Sequence, residues 1–293
     1  MSMSSTFNPY AADTPGKAGA GTAPRWLDAF ARAGYAARAG VYSLIGGLAL
    51  AAAIGMGGEL GGQKNALESL TGSTAGAAAI GLVALGLVGY SVWRLVQGVL
   101  DVDDKGQDAK GVCVRGGMIV SGIVHLALAV WAGSLSWQQL SGSGGGSESG
   151  GNAGKEGIAA WILGLPMGRW ILGFVALCVL GAAVAFVVKA IRRQWEDNFA
   201  LDAASLKRIR PFCRFGLCSR AVVFALIAAF IGWAAWTHDA GAVGGFGEAF
   251  RTLQSQAYGP ILMGIVALGL MAFGVYGALQ ALYRRIDAPQ RLQ

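Results

Sequence analysis

The chain is 293 residues long, 54% hydrophobic and only 13% charged, with a formal charge of +7. That is too apolar and too poor in charge for an ordinary soluble domain, so the bilayer is its natural solvent. A basic balance with no aromatic residues interleaved on a soluble surface excludes nucleic acid as the partner and suits anionic lipid headgroups.

Met1 to Pro24, rich in Ser, Gly, Ala and Pro, reads as a disordered tail. It is not a cleavable signal peptide, because no short apolar region opens the chain and the first apolar run starts only at Ala39. Trp26, Phe30, Ala33 and Ala37 recur at helical spacing and predict a short interfacial helix ahead of that run. Six uncharged apolar runs then follow, over 39–58, 69–93, 116–137, 170–188, 221–238 and 252–283. A helix crosses ~30 Å of hydrocarbon in about 20 residues, so each run predicts one span, the last starting near Tyr258. Of the connections, Asp101 to Lys110 has Val112 where a calcium loop needs its bidentate acid, and reads as a solvated acidic turn. Gln138 to Gly157 reads as a flexible linker. Phe199, Ala203, Leu206 and Ile209, beside Lys207, Arg208 and Arg210, predict a second interfacial helix that Pro211 stops. Residues 286–293 form a second tail.

The stretch from Gly76 to Leu100 returns at Gly168 and at Gly259, each copy with Gly at offsets 0 and 5 and Val-Ala-Leu at offsets 7 to 9. Ahead of each comes a Gly-x-x-x-Arg entry: Gly34 and Arg38, Gly111 and Arg115, Gly216 and Arg220. The chain is therefore expected to be an all-α polytopic membrane protein, six transmembrane helices arranged as three two-helix repeats (25–104, 105–196 and 197–285) within one domain over 25–285. Two spans per repeat keep the copies in one orientation, so a pseudo-threefold axis should run along the membrane normal. With the N-terminus cytoplasmic, only Lys64, Lys155, Arg169 and Arg251 of the basic residues fall outside, which predicts both termini inside. Trp131, Trp137, Trp161, Trp170, Trp233 and Trp236 then mark the outer boundary, and Trp26, Tyr35, Trp195 and Tyr283 the inner one.

Two sets of residues are candidates for function. Arg38, Arg115 and Arg220 would form a basic ring that receives an anionic group such as a lipid phosphate; the simpler reading is snorkelling toward the headgroups. Gln97, Lys189 and Gln280 share offset 21 and could hydrogen-bond to the arginines of neighbouring helices, which places Lys189 among the candidate anion contacts. His125, ten residues past Arg115, is expected ~15 Å into the membrane, as an intramembrane polar site or as a neutral histidine bonded within the bundle. Gly81, Gly86 and Gly89, with their counterparts Gly173, Cys178, Gly181 and Gly264, Gly269, Ala272, share one helix face and are expected at helix–helix contacts. The cysteines have no metal-ligand spacing, no cofactor motif occurs, and neither a nucleophile elbow nor a pair of intramembrane carboxylates is present, so the chain is not expected to be an enzyme.

The threefold Gly-x-x-x-Arg entry and Gly-x4-Gly-x-Val-Ala-Leu return helix resemble the bacterial six-pass membrane proteins grouped as domain of unknown function 1206, over roughly Trp26 to Arg285. The resemblance implies a bacterial cytoplasmic membrane and brings no activity. The other three-times-two family, the mitochondrial carriers, has Pro-x-[Asp/Glu]-x-x-[Lys/Arg] in its first helices, whereas no proline is expected in the first helix of any repeat here. The reading is a non-catalytic membrane module that contacts lipid or a membrane partner; the alternative is a small transporter or channel with its path near the pseudo-threefold axis.

Overall fold

The computed structural model describes residues 25–56, 63–102, 106–141, 151–193 and 195–284. The expected tails over 1–24 and 286–293 lie outside them, as do 142–150 of the predicted linker, 103–105 of the acidic turn and the Trp26 side chain.

Among the described residues, six helices are long and apolar enough to span a bilayer: α1 (Arg25–Ala53), α3 (Thr74–Leu100), α4 (Ala109–Leu140), α6 (Gly168–Arg192), α7 (Ala203–Thr237) and α9 (Gly259–Tyr283). The protein is thus an all-α polytopic membrane protein of three two-helix repeats. Between the two spans of each repeat sits a shorter helix absent from the sequence reading: α2 (Gln63–Glu68), α5 (Gly151–Leu163) and α8 (Phe246–Gln254). Each leads into a return helix that has the offset-0 glycine in its first turn, as the first residue of α6 and α9 and the third of α3. A Cβ on Gly76, Gly168 or Gly259 would strike the backbone carbonyl of Leu70, Ile162 or Gln254, so that glycine lets the short helix fold tightly onto the span.

Capping side chains fix several helix starts. Ser73 Oγ accepts from the Gly76 N–H at 3.0 Å, Asp108 from Gly111 at 3.0 Å, and Asp202 from Ala204 and Ser205 at 3.1 and 3.2 Å, each meeting an orphan N–H of a first turn.

Four expectations need correction. No separate interfacial helix precedes the first span, because α1 runs unbroken from Arg25 to Ala53. Phe199 does not share a helix with Ala203; it pairs with Arg284 in an isolated bridge, and α7 starts afresh behind its Asp202 cap. Pro211 does not stop α7 but lies within it, so the first helix of the third repeat does contain a proline; one missing backbone bond is tolerable where the helix is held on both sides. The linker reading was too long, because α4 reaches Leu140 and α5 is helical from Gly151.

Around the bundle the spans run α4, α3, α1, α9, α7, α6. Adjacent repeats meet along α3 with α4, α9 with α1, and α6 with α7, and inside a repeat α1 packs on α3 and α7 on α9. The corresponding pair in the middle repeat, α4 and α6, shares no packed interface, so the ring is open there. The cause lies in the sequence: where the first repeat has Tyr90 and Trp93 and the third has Phe273 and Tyr276, all buried, the middle one has Ala182 and Ala185. The expected glycine face accordingly holds in two repeats only. Gly86 abuts Ala33 and Ala37 and Gly269 abuts Ser219, whereas Cys178 is exposed and a Cβ on Gly173 or Gly181 would meet open space.

Of the tryptophans expected at the outer boundary, Trp137, Trp161, Trp170, Trp233 and Trp236 are exposed on the surface of the bundle, as an aromatic belt requires. Trp195 and Tyr35, expected near the inner boundary, pack into the bundle. Both are buried, Trp195 edge-on against Phe199 and Tyr276, because the segment after α6 folds back under the end of α9, where Ala200 N–H donates to Tyr283 O at 2.8 Å.

Candidate functional site: a buried arginine cluster

In the Gly-x-x-x-Arg entry, glycine and arginine lie one turn apart on one helix face. Gly34 lies against the backbone of Tyr90, and Gly216 against the backbone of its repeat counterpart Phe273; any side chain at either glycine would push the helices apart. That approach carries Arg38 and Arg220 into the bundle, where each is only 7% exposed.

Arg38 is hydrogen-bonded to neutral partners. Its Nη1 donates to the Tyr90 hydroxyl at 2.6 Å and its Nη2 to Gln280 Oε1 at 2.8 Å, while Gln280 Nε2 donates to the Tyr276 hydroxyl at 3.2 Å. The expected pairing of an offset-21 glutamine with an arginine on a neighbouring helix thus occurs here. The Tyr35, Tyr90 and Phe273 rings lie 5.5, 4.9 and 5.2 Å from this guanidinium.

Arg220 has four rings around it and no acceptor among the described residues. Its guanidinium lies 4.5 Å from the centroids of Phe186 and Phe273, 4.8 Å from Tyr42 and 5.0 Å from Phe224, so Phe273 serves both arginines. It makes no hydrogen bond or ion pair among the described residues, and its Nε is sealed from solvent. A desolvated cation–π contact is worth up to about 2 kcal/mol, so the cage offsets part of the several kcal/mol that burial of an ion costs. Rings accept none of the five guanidinium N–H groups in the plane where those groups point, and each unmet donor costs about 1–3 kcal/mol.

Among the described residues no carboxylate bonds to Arg38 or Arg220. Helices α3, α4, α6, α7 and α9 contain neither Asp nor Glu, and the one acid of α1, Asp28, bonds Arg32 at 2.8 Å. Arg94 adds a further cation, its guanidinium 5.7 Å from the Tyr90 ring and its Nη1 donating to Gln97 Oε1 at 3.3 Å. Lys189 adds another, one turn from Phe186 on α6 with its ammonium 5.5 Å from the Tyr276 ring. It occupies the register at which Gln280 serves Arg38, so at the α6–α7 contact a cation stands where the α9–α1 contact has the amide acceptor.

Arg115 does not join the cluster, which corrects the expected ring of three to a pair. It lies at the end of the bundle, donating to Gly98 O and Val99 O at 2.9 Å each, with Asp101 at 3.9 Å. The ring that would receive it inside is replaced by Ala182, and the C-terminal carbonyls of α3 take it instead. His125 is buried, 6% exposed, edge-on to Tyr90 at 4.7 Å and in the field of Arg38, Arg220 and Arg94. Its Nδ1 lies 2.7 Å from Ser121 O, which assigns the proton to Nδ1 and leaves Nε2 as a sealed, unpartnered acceptor. Sequence reasoning missed the aromatic cage and Arg94; the signal available was Tyr35 and Tyr42, three before and four after Arg38 on one helix face.

One family model, described as Domain of Unknown Function (DUF1206), matches the chain three times, over residues 33–101, 116–193 and 215–284, each match taking in a first helix and its return helix. An uncharacterized protein of Bacillus subtilis (strain 168), YxxB, is 28% identical over 264 residues, 89% of this chain and 92% of its own. No solved structure matches.

Proposed function

The chain belongs to that DUF1206 family, and for it we propose a non-catalytic membrane module that receives an anionic group on Arg38 and Arg220 inside the bundle. The carrying observation is Arg220, more than nine-tenths buried beneath four rings, with its Nε sealed and no acceptor for its donors among the described residues. A carboxylate, sulfate or phosphate supplies what is missing: a negative charge and oxygens in the plane of the guanidinium. The setting is the bacterial cytoplasmic membrane with both termini inside, which is supported by the bias of basic residues to the end that carries them and by the Bacillus relative. The cluster then lies in the inner leaflet. Gln280 is three residues and Phe273 ten residues from the last residue of α9, ~5 and ~15 Å along the axis.

The far side supports a closed site over a through path. Beyond Arg220, Tyr42 packs edge-on against Phe246 and Phe273, with Phe250 and Met263 fully buried behind them. The test is thermal stability of the purified chain in neutral detergent, with phosphate or sulfate against chloride at equal ionic strength. The wild type is stabilised by the oxyanions and Arg220→Met is not. An equal response of the two proteins removes the reading.

A further inference from the structure

On the side of α7 away from the buried arginines, its first turns carry a second basic feature. At ~100° per residue, Lys207, Arg208, Phe212, Arg214 and Phe215 fall within an arc of ~160°, and all five are exposed, Phe212 to 63%. Cys213, Leu217 and Arg220 take the opposite side and are buried. The depth of this face follows from α6. Gly232 faces Ala176 and Arg220 faces Phe186, so α6 and α7 run antiparallel. Six residues back along α7 is Arg214, and six on along α6 is Arg192, the last residue of that helix. Arg214 is therefore level with the end of α6, and Arg208 projects ~9 Å beyond it, so the face crosses from hydrocarbon into the headgroup layer.

The first repeat neutralises the same register. Arg32, six residues before Arg38, bonds Asp28 at 2.8 Å and donates to the Ala281 and Leu282 carbonyls at 2.8 and 2.9 Å. Arg214 stands six residues before Arg220, yet neither it nor Lys207 nor Arg208 makes a side-chain hydrogen bond or ion pair among the described residues. Of the acids between α6 and α7, Glu196 is taken by Arg210 at 2.7 and 2.9 Å, Asp202 caps α7, and Asp197 is exposed. Arg192 and Arg193, both exposed, add to the positive field.

We infer that this face of α7 is a docking site for an anionic phospholipid of the adjoining leaflet, with Lys207, Arg208 and Arg214 on its phosphate and Phe212 and Phe215 against its acyl chains. Charge complementarity selects the headgroup. A zwitterionic lipid carries an ammonium that these cations repel, whereas phosphatidylglycerol brings a negative charge with no cation of its own. The rings select a lipid over a soluble acidic peptide, because cations reaching headgroups above phenyl groups set in the acyl boundary match the amphipathic profile of a bilayer surface. This site is separate from the buried arginines and does not rest on the anion site assigned to them.

The experiment uses the full chain, delipidated in detergent, with phosphatidylglycerol and phosphatidylcholine binding followed by native mass spectrometry. Each Lys or Arg at an anionic surface is worth about fivefold in affinity, so the wild type is expected to prefer phosphatidylglycerol by at least about tenfold. Arg208→Gln combined with Arg214→Gln should bring the two lipids to within about twofold. A control of equal charge, Arg169→Gln with Arg251→Gln, both exposed at the opposite end, should keep the wild-type preference, as should Arg220→Met. Phosphatidylglycerol with a photoreactive acyl chain, in phosphatidylcholine nanodiscs, should crosslink to α7 around Phe212 and Phe215. No preference in the wild type, an equal loss in both double variants, or crosslinks concentrated on α1 and α9 overturns the inference. Loss of the preference on Arg220→Met moves the lipid to the buried cluster and overturns it too. Tighter binding of a polyglutamate peptide than of phosphatidylglycerol assigns the face to a soluble acidic partner, with the same result.

Discussion

Replacing Arg220 by Met removes a buried cation and keeps a flexible apolar side chain of similar reach among Tyr42, Phe186, Phe224 and Phe273. In anion-free detergent the wild type bears the desolvation of the guanidinium and the unmet N–H donors, and the four rings recover part of it. Replacing buried charges by well-packed apolar groups is often neutral or stabilising, by about 1–4 kcal/mol, so Arg220→Met should unfold no earlier than the wild type and up to that much later. A saturating oxyanion reverses the comparison. At a ligand concentration a hundred times Kd the wild type gains about 2.7 kcal/mol and the variant gains nothing. The assay is urea or thermal unfolding in a fixed detergent, read by tryptophan fluorescence and repeated with and without phosphate. A variant several kcal/mol less stable than the wild type in both buffers would refute the reasoning: the cation–π cage alone would then balance the charge, and Arg220 would be a structural pin.

Further outcomes follow from the same geometry. Tyr90→Phe removes an acceptor from a buried charged donor and should cost about 1.5–3 kcal/mol; combined with Gln280→Leu the losses should be non-additive, because both residues serve Arg38. Gly34→Leu or Gly216→Leu forces the first and return helices of a repeat apart, and should lower the unfolding midpoint by the equivalent of at least about 1–3 kcal/mol. Ser73→Ala, which deletes the cap of α3, should cost only about 1 kcal/mol in the same unfolding assay. A membrane-impermeant maleimide should label the exposed Cys113 in inverted vesicles and not in right-side-out ones; the opposite pattern would invert the orientation.

The number of spans, their three-part repeat and the family were legible in the sequence, because a membrane-spanning helix is specified by a local run of apolar residues and a repeat by spacing along one dimension. The offset-0 glycines were visible too, and the structure supplies their reason: each meets the carbonyl that ends a short helix or the turn after it. Helices α2, α5 and α8 were missed because their stability comes from packing on the spans, as Phe250 buried to 0% on α8 illustrates, and not from a long hydropathy signal. Pro211 misled because it was read as a local stop, when the contacts on either side carry α7 through it. The fate of three arginines in identical motifs could not be read locally at all. Whether each turns inward depends on a residue some 50 to 70 positions on, in another helix: Tyr90 and Phe273 offer a ring to Arg38 and Arg220, while Ala182 offers none and Arg115 caps α3 instead. Sequence alone therefore determined the rods and their order. Only the packing of one rod on another decided that two cations sit among aromatic rings and neutral groups, and that the ring of helices is unclosed where the aromatic side chains are missing.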